Sequence, residues 1–537
     1  MPESSTESTA AGLRDEPDLS AFAPLRRPVF RMLWFTWLAA NTTMWMNDVA
    51  AAWLMTSLAP TPLWVALVQT ASTLPVFLLG LPSGAMADIL DRRRYFMITQ
   101  FWVAAVAALL CLVVVLDAMS APLLLGLIFC NGIGLAMRWP VFAAIIPEVV
   151  PRSQLPAALA LNGVSMNSSR IIGPLVAGAI IASAGIRWVF VLNAALSLVA
   201  AFIIMRWRRE HRESPLGRER LPSAMRVGLQ FVRQSQRMRA MLLRVFLFFL
   251  HSTALLALLP LLARALPGGA AGTFTLLLAS MGAGAIVAAL SMPRIRRQLP
   301  LERLIMLGTV VQSVAAMSVA WAPSIYLAVP AMMLAGAAWI AVANSLTVAT
   351  QMALPDWVRA RGMSIYQMAL MGSTAIGAAT WGQIATWTDI HTSVALASVS
   401  SVLTLLLAQR MMPDRSIEED LTPSSAFQRP VAEEPPAPGR MQVQIEYRID
   451  PARATEFKLV MQESRRSRMR QGALAWELLH DLYEPGRYIE QITDESWIEH
   501  LRRFDRVTRA DVALRDRKLA FHLGDAPPVV SRFLLRD

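Results

Sequence analysis

Charge is scarce in this chain. Of its 537 residues 16% are Asp, Glu, Lys or Arg while 55% are hydrophobic, and mean hydropathy is +0.44. That balance excludes an ordinary soluble protein, which carries about a quarter charged residues. Cysteine is almost missing: Cys111 and Cys130 are the only two, both inside apolar segments. No disulfide framework or zinc pattern follows from them. Lysine is limited to Lys458 and Lys518, so the basic residues are nearly all arginine. There is no G-x-x-x-x-G-K-[ST] loop to cradle nucleotide phosphates, so ATP is not expected to drive the protein directly. No metal or cofactor signature is read. Residues 1–24 have no apolar core of a cleavable signal and, rich in Ser, Thr, Glu and Ala, read as a disordered tail.

What the chain does have is apolar length. Crossing a bilayer core takes about 20 mostly apolar residues. Twelve such segments centre on 30–57, 62–86, 95–117, 120–147, 157–184, 187–206, 241–264, 272–292, 302–321, 324–350, 360–386 and 392–411. They divide into a six-helix half at 25–206 and another at 241–412, joined by a basic loop at 207–240. In that loop Met225, Leu229, Phe231 and Val232 alternate with arginines, a pattern suited to lying on a membrane surface. The net charge of +12 sits beside the spans, so it reads as a topology signal and not as a nucleic-acid surface. Arginines crowd the loops on one side, which predicts that both termini are cytoplasmic in a bacterial inner membrane, with lipid as the first partner.

The two halves are related. Leu155–Gly178 recurs 204 residues later as Arg359–Gly382, with Gly173 and Gly178 aligned to Gly377 and Gly382. Internal repeats of this kind build many secondary transporters, with the path between the halves.

Several residues stand out against the apolar background. Asp48 lies inside the first span and shares a helical face with Asn41, Trp45 and Ala52. Arg138 lies in the fourth, sharing a face with Asn131 and Gly134. Charges at such depth normally face a cavity and pair. In the fifth span Gly163, Asn167, Arg170 and Pro174 recur on one face, followed by Gly178. Arg170 suits either an anionic substrate or backbone carbonyls freed near Pro174. Trp139 lies beside Arg138 and, like Trp45, is deep enough to meet an aromatic substrate. His251 reads as a packing residue.

Between the second and third spans the sequence runs Gly84-Ala-Met-Ala-Asp88-Ile-Leu-Asp91-Arg92-Arg93-Arg94. This resembles the G-x-x-x-D-R/K-x-G-R-R loop of the major facilitator superfamily, with Ile89 and Asp91 as departures. The resemblance implies twelve transmembrane helices in two pseudo-repeats and a conformational latch. Within it Asp88 would face the start of span eleven, and Arg92 would pair with an acid such as Glu148 or Asp356. Gly173-Pro174-Leu-Val-Ala-Gly178 is similar to the superfamily's exporter motif. Spans one and four line the cavity of the resembled fold, which makes an Asp48–Arg138 pair an expectation. Asp48 then has two roles open, a proton carrier or half of a static lock. Residues 24–412 resemble the transmembrane secretion effectors, the branch that includes the enterobactin exporter. The function implied is proton-coupled export of a small organic molecule, a siderophore, secondary metabolite or drug. An uptake permease is the alternative.

Beyond a proline-rich linker at 413–440, expected to be semi-rigid and disordered, residues 441–537 change to a soluble pattern. Met441–Ile449 alternates like a strand, a helix follows from Pro451, strands cover 473–481 and 487–493, and Glu495–Phe504 is helical. The order predicts a small α+β ferredoxin-like domain. Trp476, Trp497 and His500 sit in segments that resemble the antibiotic-biosynthesis-monooxygenase barrels. That resemblance implies a homodimer and raises modification or sensing of the substrate as a second function. The favoured expectation is an appended regulatory or dimerising module on a transporter that is not an enzyme.

Overall fold

The computed structural model describes residues 20, 22–59, 61–151, 154–206, 221–355, 357–412, 420–424, 426–427, 429–430, 439–524 and 526–535. Six long helices form the first half: α1 (Pro28–Leu58), α2 (Pro62–Ile89), α3 (Arg92–Val115), α4 (Ala121–Val149), α5 (Leu155–Ser183) and α6 (Ile186–Arg206). A short amphipathic α7 (Leu221–Gln234) leads into the second half. That half contains α8 (Gln236–Ala265), α9 (Ala271–Gln298), α10 (Leu301–Ala320), α11 (Ile325–Met352), α12 (Arg359–Trp387) and α13 (Ile390–Met411). Ten of the twelve long helices are long and apolar enough to cross a membrane. The other two are α1, with Arg31, Asn41, Asn47 and Asp48, and α12, with Arg359, Arg361 and Gln367. Both are as long as their neighbours and more polar.

The expected repeat is visible in the helix ends themselves. α5 and α12 start and stop 204 residues apart. Their paired glycines make exchanged contacts. A Cβ on Gly173 would lie 2.5 Å from the Cβ of Trp45 on α1, and one on Gly377 would lie 2.2 Å from the carbonyl of Leu250 on α8. One turn on, a Cβ on Gly178 would meet Thr275 of α9 at 1.8 Å, and one on Gly382 would meet Ala66 of α2 at 2.5 Å. Each helix therefore packs with its first glycine inside its own half and with its second across the divide. At Gly377 and Gly173 a neighbouring backbone carbonyl leaves no room for a side chain, and at Gly178 and Gly382 the side chains of Thr275 and Ala66 fill it.

The connections α1–α2, α3–α4 and α5–α6 lie on one end of the bundle, and the start of α1 shares the opposite end with the start of α8 and Met412. We call the latter the near face. At the far face the halves are tied: Arg264 donates to the Thr56 carbonyl at 3.0 Å, and the Leu63 amide donates to Thr386 at 3.2 Å.

The second domain has strands β1 (Met441–Arg448), β2 (Ala475–His480), β3 (Arg487–Asp494) and β4 (Val529–Leu534), and helices α14 (Ala454–Arg470), α15 (Trp497–Asp505) and α16 (Arg509–Leu519). The antiparallel sheet runs β2-β3-β1-β4, and the chain order is β-α-β-β-α-α-β, the ferredoxin-like arrangement. Ser496 caps α15 through the Glu499 amide, and Thr508 and Asp511 form a capping box on α16. Part of the proline-rich linker is not a free tether. Pro423 bridges to Thr508, and the Ser424 amide donates to the Val507 carbonyl at 3.0 Å.

The amphipathic α7 departs from the surface-helix expectation. Val227, Phe231 and Val232 are buried, and the last two pack with Ala353, Leu354 and Val358 in the turn from α11 to α12. That part of its apolar face packs on protein, while Leu229 is exposed.

Candidate functional site

Asp48 lies where the halves meet. Its Oδ1 is shut away from solvent and has no hydrogen-bond partner. The carboxylate lines a small cavity with Ala52 of α1, Val65, Val68, Gln69 and Ser72 of α2, and Leu256 and Ala257 of α8. A buried, unpartnered oxygen of this kind needs water, a proton or a ligand. Gln69 and Ser72 were not singled out from the sequence; a polar pair at i, i+3 on a greasy helix was the available signal.

The expected Asp48–Arg138 pair does not form. Arg138 is 1% exposed and its Nη2 donates to the Ala40 carbonyl at 3.5 Å, while its guanidinium lies 5.2 Å over the ring of Trp37. Trp37 stacks in turn on Phe142 at 3.8 Å. Ala40 precedes Asp48 by eight residues, about 12 Å of helix rise, so a cation anchored there cannot reach the acid. Asn131 is buried within the same half, and Gly134 beside it packs on Trp102 and Val103 of α3. Asn41, also buried, donates to the Trp37 carbonyl at 2.9 Å. Trp139 is half-buried with its Nε1 unpartnered. The side chain of Asn167 lies outside the described residues.

Arg170 on α5 faces Trp45 of α1 at 5.1 Å and Trp339 of α11 at 4.5 Å. One guanidinium thus touches indoles from both halves. Trp339 was not foreseen, since nothing in its local pattern separates it from the interfacial tryptophans.

The latch residues divide. Gly84 points to the first turns of α12, with Ser364 Oγ 3.9 Å from where its Cβ would be. The resemblance gives that neighbour to Asp88. The side chains of Asp88 and Glu148, and Asp356 altogether, lie outside the described residues. Asp91 is the N-cap of α3, accepting from the Arg94 amide at 2.8 Å. Arg93 donates to the Met205 carbonyl at 2.8 Å and so caps α6 within its own half. Arg92 is half-buried at the start of α3. Pro174 sits inside α5, between Gly173 and Gly178.

In the C-terminal α+β domain two buried charged clusters lie beside an apolar core of Tyr447, Ile449, Phe457, Met461 and Tyr488. Glu490, fully buried, accepts from Ser464 at 2.7 Å, Trp476 Nε1 at 2.9 Å, Tyr447 at 3.1 Å and Lys518 at 3.1 Å, with Arg468 3.7 Å away. Burial alone would raise its carboxyl, but Lys518 and Arg468 hold it well below the usual range. Burial also pushes Lys518 down to about 8, against the pull of Glu490. In the second cluster His500 Nδ1 lies 2.8 Å from Asp494, which also takes two 2.8 Å bonds from Arg503. Burial would raise Asp494, yet Arg503 and His500 bring it to about 2. His500 Nε2 accepts from Arg532 at 3.3 Å, and Trp497 packs 5.7 Å from its ring. Both ring nitrogens of His500 are engaged, and Trp476 spends its N–H on Glu490. These three candidates serve the core. Among the described residues no group of His, Cys, Asp and Glu is placed to hold a metal.

The domain also touches the helical part. Arg226 of α7 binds Glu495 at 2.6 Å and donates to the Gly472 carbonyl at 3.2 Å, while Gln230 donates to the Ala473 carbonyl at 3.3 Å. Arg506 lies 5.3 Å over the ring of Trp357.

Known proteins share this architecture. An uncharacterized MFS-type transporter, YfiS, of Bacillus subtilis (strain 168) is 26% identical over 221 residues, 39% of this chain and 52% of its own. The staphyloferrin A transporter of Staphylococcus aureus (strain NCTC 8325 / PS 47) is 22% identical over 277 residues, 51% of this chain and 69% of its own. A putative multidrug resistance protein, MdtD, of Salmonella typhi is 27% identical over 145 residues, 27% of this chain and 30% of its own. The match thus spans about half the length of YfiS and less than a third of MdtD. Among solved structures, a bacterial homologue of the human lysosomal transporter Spinster, inward-facing and unoccupied, superposes with a TM-score of 0.56 at 15% identity, covering 73% of this chain and 98% of that one. A POT family transporter in complex with 5-aminolevulinic acid gives 0.58 at 11% identity, covering 72% and 96%. Likeness at such identities speaks to fold alone. These relatives and neighbours are transporters, not enzymes. The family model of transmembrane secretion effectors matches residues 19–537, and the chain therefore belongs to that family, as a multi-pass membrane transporter of the major facilitator superfamily.

Proposed function

We propose that the protein exports a small organic molecule across a bacterial cytoplasmic membrane by exchange for protons. The observation that carries this reading is Asp48: an acid with an unpartnered oxygen, in a cavity walled by α1, α2 and α8 from the two halves. In this reading Asp48 accepts a proton when the cavity opens to one side and releases it to the other, while the halves rock about the site. All twelve long helices cross the membrane, α1 and α12 being more polar because they line the path. The arginine-rich near face is cytoplasmic and both termini lie there.

Export is favoured over uptake by the Gly173-Pro174 sequence in α5 and its likeness to the exporter motif. The candidate cargoes remain siderophores, secondary metabolites and hydrophobic drugs, in keeping with the names of two relatives and with the resemblance to the enterobactin-exporter branch.

For the C-terminal domain we favour sensing or regulation over catalysis, despite its likeness to the monooxygenase barrels. Its interior is packed by an apolar core and by the paired groups Glu490, Lys518, Asp494 and His500, and it bears on α7 and Trp357 at the near face. Neither the relatives nor the fold supports the homodimer that the resemblance implies.

The test is accumulation of a panel of drugs and siderophores in efflux-deficient cells expressing wild type or Asp48→Asn, with and without an uncoupler. Lower accumulation only with wild type and an intact gradient is expected. Equal protection by Asp48→Asn would remove the acid from the mechanism, and growth rescue on a limiting nutrient would favour the permease.

A further inference from the structure

Four arginines of the helical bundle invite comparison. Arg138 bonds the Ala40 carbonyl, and Arg244 is paired with Glu302 at 2.7 Å and bonds the Met412 carbonyl at 3.2 Å. Arg264 lies over Trp53 and bonds the Thr56 carbonyl. Each spends part of its in-plane edge on oxygen. Arg170 differs. Both its contacts are with ring faces, Trp45 at 5.1 Å and Trp339 at 4.5 Å, and no described residue accepts a hydrogen bond from it or offers it a carboxylate. Nor is it sealed in. Arg138 and Arg244 are 1% exposed, whereas Arg170, Trp45 and Trp339 are all only half-buried. The guanidinium therefore sits between the halves against two ring faces, with no acceptor for its N–H groups among the described residues.

A cation deep in a bilayer is costly unless something compensates it. Two indoles recover part of that cost through their faces. The remaining N–H donors form a planar fork whose natural complement is a carboxylate held by two parallel bonds. We propose that Arg170 is the anion subsite of the transport path and that the cargo is an organic anion carrying a carboxylate, with its apolar or aromatic body against Trp45 and Trp339. The subsite rests on the transporter reading above and narrows its cargo. Its walls come from both halves, since Trp45 stands on α1 and Trp339 on α11. Rocking of the halves would draw one indole away and weaken the site, and a difference in affinity between states is what releases cargo.

The test uses the purified full-length protein and matched pairs of probes, each an aromatic or aliphatic carboxylic acid and its neutral primary amide. Binding is read by quenching of tryptophan fluorescence and checked by calorimetry, for wild type, Arg170→Lys, Arg170→Gln and Trp339→Phe. Wild type is expected to prefer at least one carboxylate over its amide by about tenfold or more. Arg170→Gln should lose the preference, Arg170→Lys should keep a reduced one, and Trp339→Phe should weaken binding of both partners of a pair. Equal affinity of wild type for acid and amide throughout, or no binding of any carboxylate, overturns the subsite. So does a preference that survives in Arg170→Gln; should that variant fail to fold, undiminished discrimination by Arg170→Lys does the same. Proteoliposomes keep the two levels apart. Wild type that moves neutral or cationic compounds but no carboxylate leaves the transporter standing without this subsite. Vesicles in which no compound moves would instead remove the transport reading.

Discussion

Arg506 of the soluble domain lies over the indole of Trp357, 5.3 Å from its centroid, and so joins that domain to the turn between α11 and α12. The same indole meets Phe231 of α7 edge-on at 5.8 Å. α7 is thus held on two sides, by the start of the eleventh long helix and by the Gly472–Ala473 corner of the domain. Any rocking of the second half must move α7, and with it the domain.

This clamp is expected to be distributed over several contacts. Arg226 and Glu495 are 26% and 36% exposed, and a pair so open to water contributes at most about 1 kcal/mol. Arg226→Ala alone should leave hydrogen exchange across residues 221–234 nearly unchanged. Arg226→Ala with Trp357→Ala removes the ion pair and the aromatic seat of Arg506 together. Exchange in α7 of the full-length protein should then rise by an order of magnitude or more, and transport rates should change. Protection that survives the double substitution would show that neither the ion pair nor the Trp357 seat holds α7 in place, leaving Gln230 and Val227 at the Gly472–Ala473 corner.

The Glu490 cluster makes a sharper prediction. Glu490→Gln keeps the size of the side chain but leaves Lys518 and Arg468 facing it without a counter-charge. Breaking one side of a buried pair costs about 3–5 kcal/mol, enough to unfold a small domain. Limited proteolysis should release fragments from residues 441–535 while the helical part stays intact. Adding Lys518→Met to Glu490→Gln should recover much of the loss, because the stranded cation is the damage. Equal sensitivity of the single and double variants would argue against a charge origin.

Acid should loosen this domain in two stages. Burial holds His500 below the ordinary histidine range despite Asp494 beside it. The unfolded chain therefore takes up that proton first, and stability begins to fall as pH drops through about 6.5. Asp494 is depressed to about 2. Its contribution is complete above the ordinary carboxylate value near 4 and disappears as pH falls through the folded value. A shift of that size corresponds to about 2 kcal/mol. Thermal unfolding followed in the C-terminal domain from pH 8 to pH 3 should show both declines, and Asp494→Asn should shrink the lower one, leaving the part that belongs to Glu490, also held below the usual range.

Much of this architecture was legible in the sequence. Long, mostly apolar runs are hard to miss, so each long helix announced itself within a few residues of its ends, and the 204-residue offset located α5 and α12 together. The domain's strands were readable from alternation, as at Met441–Arg448. What stayed hidden depends on long-range partners. Nothing local says that Arg170 meets a tryptophan 169 residues away, or that Arg138 reaches Ala40 instead of Asp48. The apolar stripe of α7 was visible too, but periodicity records only that a face is covered, not whether lipid or protein covers it.

The glycines of the repeat offer the last test, because they separate a sequence match from a packing need. Gly163 and Gly377 both lie in the repeated helices, on α5 and α12. A Cβ on Gly163 would meet nothing within 4 Å, whereas one on Gly377 would sit 2.2 Å from the Leu250 carbonyl of α8. Backbone cannot move aside as a side-chain tip can. Gly377→Ala is therefore expected to push α12 from α8 and destabilise the second half by about 1–3 kcal/mol, the usual range for overpacking. Gly163→Ala should be neutral or slightly stabilising, since alanine is the better helix former by about 1 kcal/mol. Gly173→Ala, which would strike Trp45 and the Thr42 carbonyl on α1, should resemble Gly377→Ala and also disturb the indole that faces Arg170. Melting temperature in detergent ranks the three. If Gly377→Ala melted with wild type, the close crossing of α12 on α8 would not be the one the protein uses.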